Sequence, residues 1–285
     1  MDVKLSDGYF DLCINASKDN TSNLSSILLR LYQMGFRTVA INQTIDDSIF
    51  DTDKKKKKKK SENNESSVTV PNPLDITDLV KEFEGKLRIF NRLTFIYSDH
   101  LKTHMLNHCS NLKKFHLYSV IPRTKTALQF ACSQLNTDLI TINASCTGFK
   151  MNRKLYLQAV ERDIHFEIQY ADVLNPEQRK VAIHHSHLFY VYGKSRNVII
   201  SSGASNVTEI RNPYDVINLG ALLGLNEVKA KAAILYHYNI QFSFKILLYK
   251  KFSERRRYGK VFAIRIREKL EEDNHKESNA KKLKL

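Results

Sequence analysis

Short, uninterrupted apolar runs recur along this chain, each followed by a segment of helical spacing, and that alternation constrains the fold more than any other feature. The clearest unit begins at Asn197. Val198 to Ile200 is a continuous apolar run, the pattern of a parallel strand covered on both faces. Ser201 to Gly203 stops it. Pro213 suits the first turn of a helix, where its missing N–H costs nothing. Ile217, Leu219, Leu222 and Leu223 supply a buried stripe, and Gly224 closes the helix.

Similar units fill the chain. Strands are expected at Tyr9–Ile14, Thr38–Asn42, Arg88–Tyr97, Leu117–Ile121, Asp138–Asn143, His165–Gln169 and Val198–Ser202. Helices are expected at Leu24–Met34, ended by Gly35, at Asp75–Glu84 with Asp75 as cap, at Thr124–Leu135, at Asn152–Asp163 and at Pro176–Tyr192, with two more up to about Leu235. Strands joined by crossover helices make a parallel sheet, and this many units favour closure into a barrel. The fold class is therefore α/β, a (β/α) TIM-like barrel in a single domain. The barrel is assigned to 7–45 and 73–235. Residues 46–72, poor in aromatics and rich in Lys, Ser, Asn and Asp, read as a disordered lysine-rich insert. Residues 236–268 form a C-terminal extension expected to close the barrel, and 269–285 a disordered basic tail.

Charge narrows the function classes. The net charge is +15, but Lys54–Lys60 alone carry seven positive charges and 245–285 hold fourteen Lys/Arg against six Asp/Glu. What remains balances at 24 basic against 24 acidic residues, so the barrel has no overall excess. Local clusters stand out instead. No acidic residue lies between Asp99 and Asp138, where Lys102, Lys113, Lys114, Arg123 and Lys125 occur. Arg179, Lys180, Lys194, Arg196 and Arg211 form a second group. Such faces attract polyanions, although an ordinary solvated surface has the same composition. Met1–Asp11 lacks the basic start and apolar run of a signal peptide, and no stretch reaches the roughly 18 apolar residues of a membrane span. Cys13, Cys109, Cys132 and Cys146 form no Cys-x-x-Cys pair and read as reduced, mostly buried thiols of an intracellular protein.

The wording of several segments adds to this. Asn197–Ala204 with Glu209–Gly220 resembles the corresponding part of the thirty-kilodalton protein subunit family of eukaryotic ribonuclease P and ribonuclease MRP. Phe10-Asp11-Leu12, Met34-Gly35-Phe36 with Val39–Asn42, Asn91–Ile96 with Ser98-Asp99, and Val120–Thr124 agree in order, so the resemblance spans roughly Asp7 to Ile234. It implies a distorted barrel of the polymerase-and-histidinol-phosphatase (PHP) type. It also implies a non-catalytic subunit that supports the RNA in removing 5′ leaders from precursor tRNA and in processing ribosomal RNA. The implied partners are the ribonuclease P and MRP RNA, precursor tRNA through the particle, and other protein subunits, notably the small Pop-five-type one. The implied location is the nucleus and nucleolus. Arg255–Val261 looks like the family's closing basic element, while Tyr236–Tyr249 before it reads either as a lineage insert or as a retained intron. Lys281-Lys282-Leu283-Lys284 suits part of a nuclear-import signal.

The chemistry-bearing residues support a binding role more than an enzymatic one. A PHP-like metal phosphoesterase is the alternative, and a metal would there activate water and stabilise phosphoryl charge. The His-x-His expected after strand one is replaced by Asp11-Leu12-Cys13-Ile14-Asn15. His100, His104 and His108 are spaced to share a helix face, as metal ligands or as surface histidines. His184, His185 and His187 read as surface or boundary residues. Ser201 and Ser202 read as loop and helix caps rather than nucleophiles. Arg92 is costly inside a strand unless paired, and Asp11, Asp99 or the rim are its expected partners. No catalytic residue, metal or cofactor is assigned. Arg123, Lys125, Arg179, Lys194, Arg196 and Arg211, which flank strand ends in acid-poor segments, are the expected phosphate contacts, mostly independent of sequence. A protein-assembly scaffold touching no RNA is the third reading.

Overall fold

The alternation folds as expected into a parallel barrel. The computed structural model describes residues 8–16, 21–50, 70–143, 146 and 151–236. Seven parallel strands lie side by side in chain order: β1 (Gly8–Asn15), β2 (Phe36–Asp46), β3 (Arg88–Tyr97), β4 (Leu117–Pro122), β5 (Leu139–Thr141), β6 (His165–Gln169) and β7 (Val198–Ser201). The helices are α1 (Thr21–Gln33), α2 (Thr77–Glu82), α3 (Leu101–His108), α4 (Lys125–Ser133), α5 (Arg153–Glu161), α6 (Tyr170–Leu174), α7 (Pro176–Gly193), α8 (Pro213–Leu222) and α9 (Glu227–Ala232). The last strand, β8 (Leu235–Tyr236), runs antiparallel to β1.

Closure is uneven. At their C-terminal ends β1 and β7 meet directly: the Asn15 N–H donates to the Ala204 carbonyl at 2.8 Å and the Gly203 N–H to the Cys13 carbonyl at 2.9 Å. At the other end the segment leading into β8 fills the seam. Phe10 N–H donates to the Ile234 carbonyl at 2.8 Å and Ile200 N–H to the Ala233 carbonyl at 3.0 Å. Edge groups on both strands are thereby satisfied, which removes the exposed sheet edges an open barrel would present. The segments 236–268 and 269–285, with Lys281–Lys284, and the lysine run Lys54–Lys60 lie outside the described residues, save Tyr236 itself.

Strand alternation sorts the side chains into layers. Outward residues Leu93, Phe95 and Tyr97 of β3, Val120 of β4, Phe166 and Ile168 of β6 and Ile200 of β7 pack beneath the helices with Leu128, Ala131, Phe189 and Val216. A second cluster joins Val39 and Ile41 of β2 to Leu24, Ile27, Leu28 and Leu31 of α1, the stripe expected for that helix. Side-chain caps start the later helices. Thr124 accepts from Ala127 N–H at 3.1 Å, Asn152 from Leu155 N–H at 2.8 Å, Asn175 from Glu177 N–H at 3.0 Å and Asn212 from Tyr214 N–H at 3.0 Å. Each such cap is worth about 1 kcal/mol.

Four expectations need correction. β2 does not stop at Asn42 but continues to Asp46, because every residue from Thr38 to Asp46 pairs with β3. The insert is correspondingly shorter than 46–72: Asp47–Phe50 form a 3-10 turn with Phe50 buried, and Val70 is buried too, leaving 51–69 outside the described residues. Leu222 of α8 is 54% exposed, and the helix buries Val216, Ile217 and Gly220 instead. His185 is buried in α7, not at the surface, while His184 and His187 are exposed.

The turn between α7 and β7 is unusual. Lys194, Ser195 and Asn197 all take left-handed backbone, with φ of 53°, 52° and 52°. Gly193 enters this turn flat against Tyr156; a Cβ there would lie 1.8 Å from the ring. Gly193→Ala is expected to destabilise the protein by about 1–3 kcal/mol through overpacking. Urea unfolding measures this, and an unchanged midpoint would refute the close approach.

Candidate functional site

Inside the barrel, the inward positions of the strands build a polar layer. The register puts Asn42 beside Arg92, Thr94 beside Ser119, and Thr141 beside Glu167. At its centre Arg92 and Glu167 face each other, both wholly shielded from solvent. The pairing is bidentate: Arg92 Nη1 donates to Glu167 Oε1 at 2.5 Å and Nη2 to Oε2 at 2.6 Å. Arg92 Nη1 also donates to the Leu12 carbonyl at 2.7 Å, and Nε to Thr94 Oγ1 at 3.1 Å. Glu167 accepts further bonds from Thr141 Oγ1 at 2.6 Å and Ser201 Oγ at 2.7 Å. The network extends from Thr94 to Asn42 at 2.6 Å and from Asn42 to Asn15 at 2.9 Å.

Arg92 therefore has a carboxylate partner, but it is Glu167 of β6, not Asp11, Asp99 or the rim. Burial alone would raise the Glu167 carboxyl, yet the adjacent guanidinium and the bonds from Arg92, Thr141 and Ser201 hold it below its ordinary value. Asp11 behaves oppositely. Burial pushes it up to about 6, against the lowering effect of the Ser202 and Cys13 bonds. Its Oδ1 accepts from Ser202 N–H at 3.0 Å and Cys13 N–H at 3.2 Å, while Oδ2 has no partner among the described residues. Asp172 of α6 is also raised to about 6, by burial and then by the charge of Glu167.

Of the two serines expected to cap the loop and helix, only Ser202 bonds the loop backbone. Ser201 holds Glu167, and Ser202 Oγ donates to the Cys13 carbonyl at 3.0 Å and accepts from Ala204 N–H at 3.1 Å. His100 and His104 flank the Phe130 ring, with centroids at 5.4 and 5.8 Å. Cys13, Cys132 and Cys146 are buried and Cys109 partly so, all as free thiols. Among the described residues no three His, Cys, Asp or Glu side chains gather into a metal-binding group.

The six expected phosphate contacts divide between the two ends of the barrel. Arg123 follows β4, Lys125 opens α4, Arg179 lies in the first turn of α7 and Arg211 follows β7, so these four belong to the C-terminal rim. Arg123 is ion-paired with Asp46 at 2.8 Å. Arg179 donates to the Val173 and Leu174 carbonyls at 2.8 and 3.0 Å, ending α6, and Arg211 to the Thr208 carbonyl at 3.0 Å. Lys194 and Arg196 sit in the α7–β7 turn at the opposite, N-terminal rim. Two cations not anticipated join them there. Arg153 Nη1 reaches the Tyr192 carbonyl at 3.5 Å, and Lys229 Nζ bonds to the Lys194 carbonyl. Lys229 has Glu227 two residues away, which hides it in the sequence, whereas Arg153 stands with Lys150 and Lys154 in an acid-free stretch between Asp138 and Glu161, a signal that could have found it.

Fold and interior together define a parallel β/α barrel whose polar centre is occupied by an intrachain ion pair and whose expected phosphate contacts lie on its two rims. The family model for RNase P subunit p30 matches residues 8–240, and the chain belongs to that family. Ribonuclease P protein subunit p30 of Mus musculus is 30% identical over 229 residues, covering 79% of this chain and 81% of that protein. Ribonuclease P/MRP protein subunit RPP1 of Saccharomyces cerevisiae is 26% identical, covering 75% and 69%. Protein GAMETOPHYTE DEFECTIVE 1 of Arabidopsis thaliana is 37% identical over 150 residues, but the chain spans only 26% of that longer protein. A chain of archaeal ribonuclease P, solved with mature tRNA, superposes with a TM-score of 0.57 at 13% identity, over 84% of this chain and 90% of that one, a likeness of fold.

Two outcomes check the interior. Glu167→Gln strands a buried guanidinium and should cost about 3–5 kcal/mol. Arg92→Met combined with Glu167→Leu should cost less than the two single changes together, by on the order of 2 kcal/mol in a double-mutant cycle; strict additivity would deny the pairing. The second outcome concerns pH. Folding raises the Asp11 carboxyl, so its contribution to stability is complete below the unfolded value and is lost as pH rises through about 6. Asp11→Asn should gain on the wild type by on the order of 2–3 kcal/mol between pH 4 and pH 8. Parallel stability profiles would contradict this.

Proposed function

We propose that this chain is a non-catalytic protein subunit of the ribonuclease P ribonucleoprotein, and of the related MRP particle. In this reading the RNA with its bound metals removes the 5′ leader of precursor tRNA, and the protein braces the RNA and docks other subunits. The observation that carries the reading is the family match over nearly the whole barrel, residues 8–240. The names of the mouse and yeast relatives support it. Of the six basic residues expected to meet phosphate, Lys125, Lys194 and Arg196 are the candidate contacts, whereas Arg123 is paired with Asp46 and Arg179 and Arg211 are bonded to main-chain carbonyls. The small Pop-five-type subunit is the proposed protein neighbour, ribosomal RNA processing the proposed second task, and the nucleus with its nucleolus the proposed location.

The metal phosphoesterase reading is weaker because Arg92 fills the polar layer between the strands. A divalent cation brought there would find the Glu167 carboxylate already engaged by both Nη groups of Arg92. Affinity purification of the tagged chain from cells, with sequencing of the bound RNA and a precursor-tRNA cleavage assay, tests the proposal. Recovery of ribonuclease P or MRP RNA with cleavage activity is expected. Recovery of the protein free of either RNA would overturn it.

A further inference from the structure

Four basic side chains, two from the α7–β7 turn and one each from α5 and α9, gather at that turn. Arg153 at the start of α5, Lys194 and Arg196 between α7 and β7, and Lys229 in α9 all contact the backbone or rings of residues 190–196. Lys194 Nζ lies 4.9 Å above the ring of Tyr190, which is 45% exposed. Arg196 Nε approaches the Gly193 carbonyl at 3.4 Å, and Arg153, Lys194 and Arg196 are exposed. None of the four pairs with a carboxylate among the described residues. The nearest acid on α9, Glu227, is engaged by Lys231 at 2.6 Å.

The opposite rim differs. There Arg123 is neutralised by Asp46, and Lys102 by Asp47 at 3.7 Å. Glu177 and Asp215 stand in the first turns of α7 and α8, at the same rim as Arg179 and Arg211. Its potential is therefore mixed, whereas the N-terminal patch keeps its charge uncompensated. Uncompensated cations gain most from phosphate, because each contact releases a condensed counterion.

The turn itself adds a second observation. Left-handed backbone runs through Lys194, Ser195 and Asn197, readily taken by asparagine but uncommon for lysine and serine. Ser195 is 5% exposed, and its Oγ has no hydrogen-bond partner among the described residues. The tight turn projects Lys194 and Arg196 from alternate positions on either side of that buried serine. Resting on the function proposed above, we infer that Arg153, Lys194, Arg196 and Lys229 form one phosphate-backbone contact for RNA at the N-terminal end of the barrel, with the C-terminal-rim arginines serving mainly to hold the fold.

The test uses the full-length tagged chain in cells. Co-purified ribonuclease P RNA is quantified after washes of rising salt, for wild type, for Lys194→Glu/Arg196→Glu/Lys229→Glu, and for Arg179→Gln/Arg211→Gln on the other rim. Thermal melts report folding. A neutral version, Lys194→Gln/Arg196→Gln/Lys229→Gln, replaces the reversed triple if that one melts early. The N-terminal triple is expected to release RNA at lower salt, with a log–log salt slope shallower by about 2–3. The other double variant is expected to follow the wild type. RNA retained by the triple as by the wild type would overturn the inference while leaving the particle reading intact. Loss of protein subunits with RNA retention unchanged would make the patch a protein interface and overturn it too. A wild type that carries no such RNA would remove the reading on which the inference rests.

Discussion

A guanidinium and a carboxylate, both removed from water, face each other across the middle of the barrel, and the strands are arranged around them. Burying either ion alone would cost several kcal/mol, so the fold must bring β3 and β6 to within a fixed distance to be stable. The remaining donors and acceptors are met by Leu12 of β1, Thr94 of β3, Thr141 of β5 and Ser201 of β7. A single charged pair thus addresses five of the seven parallel strands. An apolar filling of equal volume would give comparable stability but no such demand on register, because apolar contacts tolerate sliding whereas a bidentate fork does not.

Most of the frame was readable beforehand because it rests on local signals. Val198–Ile200 has a period and a stop, Pro176 and Pro213 mark helix starts, and Gly35 and Gly193 mark helix ends. These are decided within a few residues of chain. What was not readable depends on distance. The partner of Arg92 is Glu167, three strands away, and nothing near either residue announces the other. β2 outran its apolar core at Asn42 because Gln43, Thr44 and Asp46 are held by pairing to β3 rather than by their own propensity. The polarity of His185 suits a surface, yet the packing of a long helix against the barrel buries it.

The basic residues illustrate the same division. Counting charge along the chain grouped Arg179, Lys194, Arg196 and Arg211 together. In a β/α barrel, however, consecutive loops lie at opposite ends, so sequence neighbours are separated and remote residues such as Arg153 and Lys229 are brought together. Whether a cation remains available to a ligand is likewise a matter of three dimensions: Arg123 stands in an acid-free stretch but finds Asp46 at the end of β2.

The seam closed by β8 bears on how the molecule is made. The groups that satisfy Phe10 and Ile200 come from Ala233 and Ile234, among the last described residues. During synthesis from the N-terminus, β1 through β7 emerge before this segment exists. Until it arrives, Phe10 of β1 and Ile200 of β7 present bare backbone donors, and pairing across so long a stretch of chain is slow. The nascent sheet therefore carries two live edges while it is still attached to the ribosome, which is the stage at which this protein is most exposed to wrong pairing and to chaperone capture.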